Sequence, residues 1–306
     1  MLQLYTHRAC LRHAPPGNHA ECPARLQAVL GALDADRYAT VDRVEAPRAS
    51  RGQLLRMHGA KHVDTILSGP SDEGPHMLDA DTYWCADSAE AALRAAGAVI
   101  AAVDAVMAGT CRHAFCAVRP PGHHATATQA MGFCLFNNVA LGAAHALAAH
   151  GLERIAIADF DVHHGNGTQE LCTGEPRVLF ASSHQVPLYP GTGDPDAANP
   201  GNCINGALAP GSGSAAFRDL WSTRLLPRLH AFRPQLVLVS AGFDAHRRDP
   251  LADLQLETDD YAWITAQLVD LAHVHAADRL VSTLEGGYDL AALADSTCAH
   301  VDALMA

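Results

Sequence analysis

Short apolar runs rich in β-branched residues recur along the chain and are typical of buried strands. None of these runs alternates apolar with polar positions, which is the pattern of strands that are covered on both faces. We predict strands over 114–118, 155–160, 178–181, 236–239 and 280–284.

Longer segments lie between these runs and carry apolar residues at intervals of three and four, which predicts helices. They cover 23–33, 89–107, 138–150, 215–230, 259–275 and 290–304. The alternation of strand and helix predicts an α/β fold with a mainly parallel sheet and helices on both faces. Because no repeat, low-complexity tract or linker divides the chain, we expect one domain over residues 1–306.

Composition and charge narrow the classes of partner. The 306 residues are 49% hydrophobic and 18% charged, as in globular proteins, and the formal net charge of −12 disfavours nucleic acid as a partner. The first residues lack an apolar signal core, and the most apolar stretch, 95–107, is too short to span a bilayer, so we expect a cytoplasmic protein with no membrane partner. Nine cysteines without a Cys-x-x-Cys pair suit reduced thiols. The oligomeric state stays open.

Polar residues lie at the carboxyl ends of the five predicted strands. That edge is where open parallel sheets bind ligands, so these residues are the first candidates for a functional site. The segments are RPPGHH (119–124), DFDVHHGNG (159–167), ASSH (181–184), SAGFDAH (240–246) and EGGY (285–288).

Three of these residues form a candidate metal site. Asp161 and His163 alternate at a strand end, so their side chains point to the same face, and Asp244 can complete the set. Two carboxylates and one imidazole suit zinc, and three protein ligands leave a position open for water. Taken alone, Asp-x-His is more typical of an ordinary strand-to-loop transition, but the neighbouring motifs favour a metal site.

A tandem pair of histidines is the candidate for proton transfer. His123 and His124 follow a stiff Pro-Pro-Gly turn, which projects both imidazoles from a loop, and neutral imidazoles suit acid and base catalysis near pH 7. Asp159 and Asn166 can each orient one of these rings and fix its tautomer. Simple loop capping is the alternative for Asp159 and Asn166.

Three aromatic residues are further candidates. Gly286 and Gly287 place Tyr288 on an unobstructed backbone, from which a phenol can donate a hydrogen bond to an oxyanion. Phe133, next to Gly132, and Tyr189 can wall a narrow apolar slot, although either can equally belong to the core.

Six ordered motifs resemble the zinc-dependent histone deacetylase superfamily over nearly the whole chain. They are RPPGHHA (119–125), MGFCLFNN (131–138), DFDVHHGNGTQ (159–169), YPGTGD (189–194), SAGFDAHRRDPL (240–251) and EGGY (285–288). Asn166, GFDAH and Leu251 resemble the class II and bacterial amidohydrolase branch. The resemblance implies an arginase-like, deacetylase-like α/β fold and deacylation of an acylated amine such as acetyl-lysine.

The resemblance also implies roles for the candidate residues. Zn²⁺ is held by Asp161, His163 and Asp244, and a water activated there attacks the amide carbonyl. By the same resemblance, His124 is the general base and acid and His123 is its electrostatic partner. Asp159 pairs with His123, and Asn166 pairs with His124. Tyr288 and Zn²⁺ polarise the carbonyl.

The implied substrate and potassium sites complete the set. Phe133 and Tyr189 flank the acyl-lysine stem, with Gly132 and Leu251 beside them, and Asp81 stands where the family often has a rim carboxylate. Family members also bind K⁺ near the zinc, which here involves Asp159, Asp161, His163, Ser182 and Ser183, largely through backbone oxygens.

The sequence leaves three alternatives open. An acetylpolyamine amidohydrolase is favoured by the negative charge, but the polyamine-selective human member has a glutamate at the place of Leu251. An arginase-type enzyme with two manganese ions needs a further aspartate where Gly165 stands. A catalytically silent acyl-lysine binder, similar to acetoin-utilisation proteins, is disfavoured by the intact ligand set and Tyr288.

Overall fold

Ten strands are present in the computed structural model, which describes residues 1–70, 74–195 and 201–306. In chain order they are β1 Leu2–Thr6, β2 Asp42–Glu45, β3 His76–Met77, β4 Tyr83–Trp84, β5 His113–Cys116, β6 Ile155–Asp159, β7 Val178–Gln185, β8 Cys203–Leu208, β9 Leu236–Ala241 and β10 Leu280–Leu284. Eight of them form one parallel sheet in the order β2-β1-β5-β10-β9-β6-β7-β8, and β3 and β4 form a separate antiparallel pair.

Helices pack around this sheet. They are α1 Pro23–Ala32, α2 Arg51–Leu54, α3 Ala60–Ser68, α4 Ser88–Met107, α5 Asn138–His150, α6 Asn166–Cys172, α7 Ser214–Leu220, α8 Leu226–Phe232, α9 Thr258–His275 and α10 Leu290–Met305. Helices α4 and α5 pack on each other, as do α9 and α10, and both pairs contact the sheet. The predicted fold class, a mainly parallel sheet with helices on both faces, is confirmed. None of the helices among the described residues is long and apolar enough to cross a bilayer.

The predicted elements are present with shifted bounds. All five predicted strands form, and β7 runs four residues further than the pattern indicated, to Gln185. The helix predicted over 215–230 is interrupted by a π-helical turn, Trp221–Leu225, where the buried Trp221 ring donates a hydrogen bond from Nε1 to Ser183 Oγ at 3.0 Å. The pattern did not predict the other five strands, which are β1, β2, β8 and the short pair β3 and β4. The edge strand β2 reads DRVE and is mostly exposed, so it has no apolar signature.

The order of the strands decides where the site forms. Strands β5, β10, β9, β6 and β7 are consecutive neighbours in the middle of the sheet. Because they are parallel, their carboxyl ends lie along one edge. The polar motifs that follow β5, β6, β9 and β10 meet at this edge, whereas ASSH (181–184) lies within β7. Asp159 at the end of β6 pairs in register with Ser240 on β9 and Ser182 on β7.

Candidate active site

Asp161, His163 and Asp244 converge as predicted. Nδ1 of His163 lies 3.1 Å from Oδ1 of Asp161 and 3.1 Å from Oδ2 of Asp244. All three side chains are buried. A concentration of two buried carboxylates is unfavourable without a compensating cation, so the cluster has the charge of a metal site.

Backbone amides aim the two carboxylates. Asp161 accepts hydrogen bonds from the amides of His163 (2.9 Å) and Gly286 (2.8 Å), and Asp244 accepts one from Val162 at 2.9 Å. These bonds fix one oxygen of each carboxylate toward the imidazole. A Cβ added at Gly286 would overlap the Asp244 carboxylate, so the backbone comes this close only because residue 286 has no side chain.

The distances from Nδ1 of His163 to the two carboxylates fit zinc. Two ligands of a tetrahedral zinc ion, each about 2.0–2.1 Å from the metal, are separated by roughly 3.3 Å, close to the 3.1 Å separations here. Carboxylate oxygen and imidazole nitrogen are both common zinc donors. The residues present therefore fit the group that the sequence resemblance implied.

One other group of three His and Asp residues among the described residues has its potential ligand atoms close together, on α4 and α5. Oδ1 of Asp104 lies 2.6 Å from Nε2 of His145 and 2.7 Å from Nε2 of His150. These separations are those of N–H···O hydrogen bonds and are too short for two ligands around one metal. Arg56 donates to Nδ1 of His145 at 2.8 Å, which places the His145 proton on Nε2, facing Asp104. We interpret this group as a hydrogen-bonded link between the two helices.

The tandem histidines lie beside the cluster with different partners. Nδ1 of His123 is 3.1 Å from Oδ2 of Asp159, and Nδ1 of His124 is 2.8 Å from the amide oxygen of Asn166. An amide oxygen only accepts, so His124 carries its proton on Nδ1 and leaves the Nε2 lone pair free. The two rings lie 4.0 Å apart between centroids.

The surroundings shift the pKa values of the two rings in opposite directions. Burial disfavours charge on His123, yet the carboxylates of Asp161 and Asp159 raise its pKa well above the ordinary value. Burial, together with the charges of His123 and His163, lowers the pKa of His124 well below the ordinary value. The surroundings therefore favour a proton on His123 and disfavour one on His124.

Tyr288 follows the strand β10 and has a cation on its ring. The guanidinium of the buried Arg25 lies 4.7 Å from the ring centroid and donates hydrogen bonds to the carbonyls of Gly287 (2.6 Å) and Glu285 (2.5 Å). Burial raises the pKa of Tyr288 well above its usual value. The phenol is therefore a protonated donor at neutral pH.

A cavity of about 230 Å³ contains most of the predicted substrate residues. Tyr189 and Leu251 are exposed at the surface, and the left-handed conformation of Gly132 and Phe133 (φ +55° and +67°) turns the Phe133 ring into the cavity. The predicted residues that line it are Asp81, His123, His124, Gly132, Phe133, His163, Tyr189, Leu251 and Tyr288, joined by Pro121, Leu188 and Gly286.

The remaining predicted residues lie around this cavity. Asp81 is half-buried on its wall, and burial followed by the neighbouring Asp79 raises its pKa. Ser182 and Ser183 lie on β7, and their hydroxyls already bond Nδ1 of His184 (2.9 Å) and the Trp221 indole. The potassium site predicted beside these serines stays a prediction.

Sequence reasoning missed two buried acids of the site. Glu285 accepts hydrogen bonds from the amides of Gly122 (2.7 Å) and His123 (3.2 Å) and from Ser240 Oγ (3.1 Å). It thereby fixes the loop that carries the tandem histidines. An acid directly after an apolar strand was the available signal. The other is Asp249, whose carboxylate accepts from backbone amides of the cavity wall.

A third missed feature is a buried ionic cluster behind Tyr288. Glu21 is paired with both Arg119 and Arg25, and Arg119 also donates to the carbonyls of Cys10 (2.7 Å) and His13 (3.1 Å). Glu21 and Arg25 are only four residues apart, but Arg119 is 98 residues from Glu21. An arginine in the mostly apolar helix α1 was the local sign.

Comparisons with known proteins identify the family of the chain. A family model described as "Histone deacetylase domain" matches residues 19–304. The chain belongs to the histone deacetylase family. As a member of that family it is a hydrolytic enzyme that acts on acyl amides.

The chain is similar to several members of the histone deacetylase family. It is 42% identical over 282 residues to the "Histone deacetylase-like amidohydrolase" of Pseudomonas aeruginosa, covering 90% of this chain and 74% of that one. It is 36% identical over 309 residues to the mouse "Polyamine deacetylase HDAC10", covering 95% of this chain and 45% of that one. A crystal structure of the HDA15 HD domain superposes with a TM-score of 0.94 at 33% identity, covering 99% of this chain and 88% of that one.

Proposed function

We propose that this chain is a zinc-dependent amidohydrolase that deacylates acyl-lysine or a related acylated amine, with residues 1–306 acting as one catalytic domain. The observation that carries the proposal is that three groups of side chains lie together at one cavity. These are the cluster of Asp161, His163 and Asp244, the differently partnered histidine pair, and Tyr288.

The metal has a defined place in this proposal. When bound by Asp161, His163 and Asp244, zinc supplies Lewis-acid polarisation of the substrate carbonyl and lowers the pKa of a water molecule. The hydrogen bonds from Val162, His163 and Gly286 hold the two carboxylates in position for it. A potassium ion near Asp159, Ser182 and Ser183 is part of the proposal.

Proton transfer is the work of His124. Its Nε2 lone pair is free because Nδ1 bonds Asn166, so it can take a proton from the attacking water and deliver it to the departing amine. His123, whose pKa is raised by Asp161 and Asp159, can stabilise the negative charge that develops nearby. The products are the carboxylic acid and the free amine.

Tyr288 stabilises the oxyanion. Its phenol is protonated at neutral pH and lies on the same cavity as His124 and Phe133, so it can donate to the carbonyl oxygen as charge accumulates there. Phe133 and Tyr189 provide apolar walls that suit the alkyl stem of a lysine-like substrate.

An acetylpolyamine is the second candidate substrate. The similarity to a polyamine deacetylase and the carboxylate of Asp81 on the cavity wall favour it. Leu251 opposes it, because an apolar group there gives a buried secondary ammonium no partner. We therefore propose acyl-lysine as the preferred class.

The test is a substrate screen with the zinc-loaded protein. Release of amine is measured from an acetyl-lysine peptide, longer acyl-lysine peptides and N8-acetylspermidine. We expect turnover of the acetyl-lysine peptide that is lost, together with bound zinc, in Asp244→Asn. Asp104→Asn, a matched change outside the cavity, should keep both. Wild-type protein that binds zinc and releases no amine from any substrate would instead support a silent binder.

A further inference from the structure

The carboxylate of Asp249 connects two separate parts of the cavity wall. Asp249 lies in the loop after β9 and is only 8% exposed. Its Oδ1 accepts a hydrogen bond from the amide of Leu251 at 3.0 Å, and its Oδ2 accepts one from the amide of Tyr288 at 2.7 Å. Leu251 and Tyr288 both line the cavity. One buried side chain thus holds two residues that are far apart in sequence.

Tyr288 depends on such an anchor because no regular element holds its backbone amide. Strand β10 ends at Leu284 and α10 begins at Leu290, so Tyr288 lies in the connection between them. The preceding Gly287 has φ +122°, a conformation that favours glycine. A glycine backbone has no Cβ and is more flexible than that of other residues. Arg25 holds the Gly287 carbonyl, and Asp249 holds the next amide.

Leu251 needs the anchor for a different reason. Its side chain is 37% exposed, so apolar burial alone does not fix its direction. The hydrogen bond from its amide to the side chain two residues earlier closes an Asx turn around Pro250, which sets how residue 251 projects into the cavity.

We propose that Asp249 is a positioning residue whose single carboxylate sets both the Tyr288 donor and the Leu251 wall, and so controls turnover and substrate choice together. This inference rests on the function proposed above, in which Tyr288 donates to the oxyanion and Leu251 contacts the substrate. A displacement of about 1 Å in such a site can lower the rate about 10²-fold, so the anchor matters although it does not touch the substrate.

Asp249→Asn tests the proposal with almost no change of shape. Only one of the two terminal atoms of asparagine accepts a hydrogen bond, so one of the two amides faces an NH₂ group instead. We expect kcat for an acetyl-lysine peptide to fall about 10-fold or more, with KM changed less than about threefold and zinc retained. Asp253→Asn is the matched control, because Asp253 lies in the same loop, is exposed and bonds Gln185 outside the cavity.

A double-mutant cycle separates positioning from general damage. If Asp249 acts through Tyr288, Asp249→Asn should change kcat less than about threefold in the Tyr288→Phe background, since the donor that it positions is already gone. Losses that multiply would overturn the proposal, as would an unchanged kcat in Asp249→Asn. If Asp249→Asn does not fold, Asp249→Ser, which keeps one acceptor, takes its place in the same cycle.

Substrate choice gives an independent readout. The ratio of kcat/KM between the acetyl-lysine peptide and N8-acetylspermidine should shift at least about threefold in Asp249→Asn, because Leu251 loses its anchor. A ratio that stays constant overturns the part of the proposal that concerns Leu251. If Tyr288→Phe itself keeps full turnover, the proposed function fails at Tyr288. If Tyr288→Phe lowers kcat and Asp249→Asn does not, the inference alone fails.

Discussion

Replacing Gly286 by alanine should disrupt the metal site through a single methyl group. A Cβ at this position would overlap the Asp244 carboxylate and would lie 2.7 Å from Oδ2 of Asp161. The Gly286 amide also donates to that Asp161 oxygen at 2.8 Å, so the backbone cannot retreat without losing a hydrogen bond. The carboxylates must therefore move.

The expected size of the effect follows from contact distances. Restoring ordinary van der Waals separation displaces a carboxylate on the order of 1 Å, whereas metal sites tolerate deviations of about 0.2 Å in ligand distance. We expect zinc affinity to fall roughly 10²-fold or more, since even changes outside the ligand set cost about 10- to 100-fold. Overpacking should lower the free energy of unfolding by about 1–3 kcal/mol.

Zinc affinity measured by competition with a chelator tests this expectation, with thermal unfolding as a check of the fold. Gly31→Ala is the control. Gly31 lies on α1 with no atom within 4 Å of an added Cβ, so alanine there should leave zinc affinity unchanged and can add up to about 1 kcal/mol of stability. A folded Gly286→Ala protein that binds zinc within about threefold of wild type would refute the assignment of this edge as the metal site.

Three further outcomes are expected. His124→Ala should lower kcat by about 10²-fold or more, and by a larger factor than His123→Ala, because only His124 has a free Nε2 to act as the base. Both variants should retain zinc. Equal losses of kcat in steady-state assays, or loss of zinc, would contradict these roles. Leu251→Glu should raise kcat/KM for N8-acetylspermidine relative to an acetyl-lysine peptide by roughly 10- to 10³-fold, because it adds a carboxylate partner for the secondary ammonium. A wild-type protein that already prefers the polyamine would disprove the proposed preference for acyl-lysine. Although burial favours the neutral acid, Arg119 lowers the pKa of Glu21 to about 2. The ionised Glu21 therefore contributes roughly 3 kcal/mol to the free energy of unfolding above about pH 4.5, and this contribution is lost as the pH falls toward 2. In acid unfolding experiments, Glu21→Gln should make the free energy of unfolding depend less on pH in this range, and an identical pH dependence would argue against the pairing.

The sequence by itself determined the elements and the chemical groups of the site. Apolar runs without alternation predicted five strands of the sheet, because a strand covered on both faces needs apolar residues at every position. The polar motifs after these strands contain the cluster of Asp161, His163 and Asp244 and the pair His123 and His124. Their convergence was predictable, since the carboxyl ends of parallel strands share one edge.

Other elements left too little local signal. Strand β2 is mostly exposed and charged, and α6 begins at Asn166, inside a motif that reads as a loop. The π-helical turn at Trp221–Leu225 interrupts a periodic pattern that predicts one continuous helix. In each case the surroundings in the fold override the local preference.

Only the tertiary structure decided which buried groups support the site. The hydrogen bond between Glu285 and the Gly122 amide joins residues 163 positions apart, and that between Asp249 and the Tyr288 amide joins residues 39 apart. Nothing near either acid in the sequence specifies its partner, because the partner is a backbone amide, which every residue except proline has. Which amide loses its water, and so needs an acceptor, depends on the order in which the strands lie side by side.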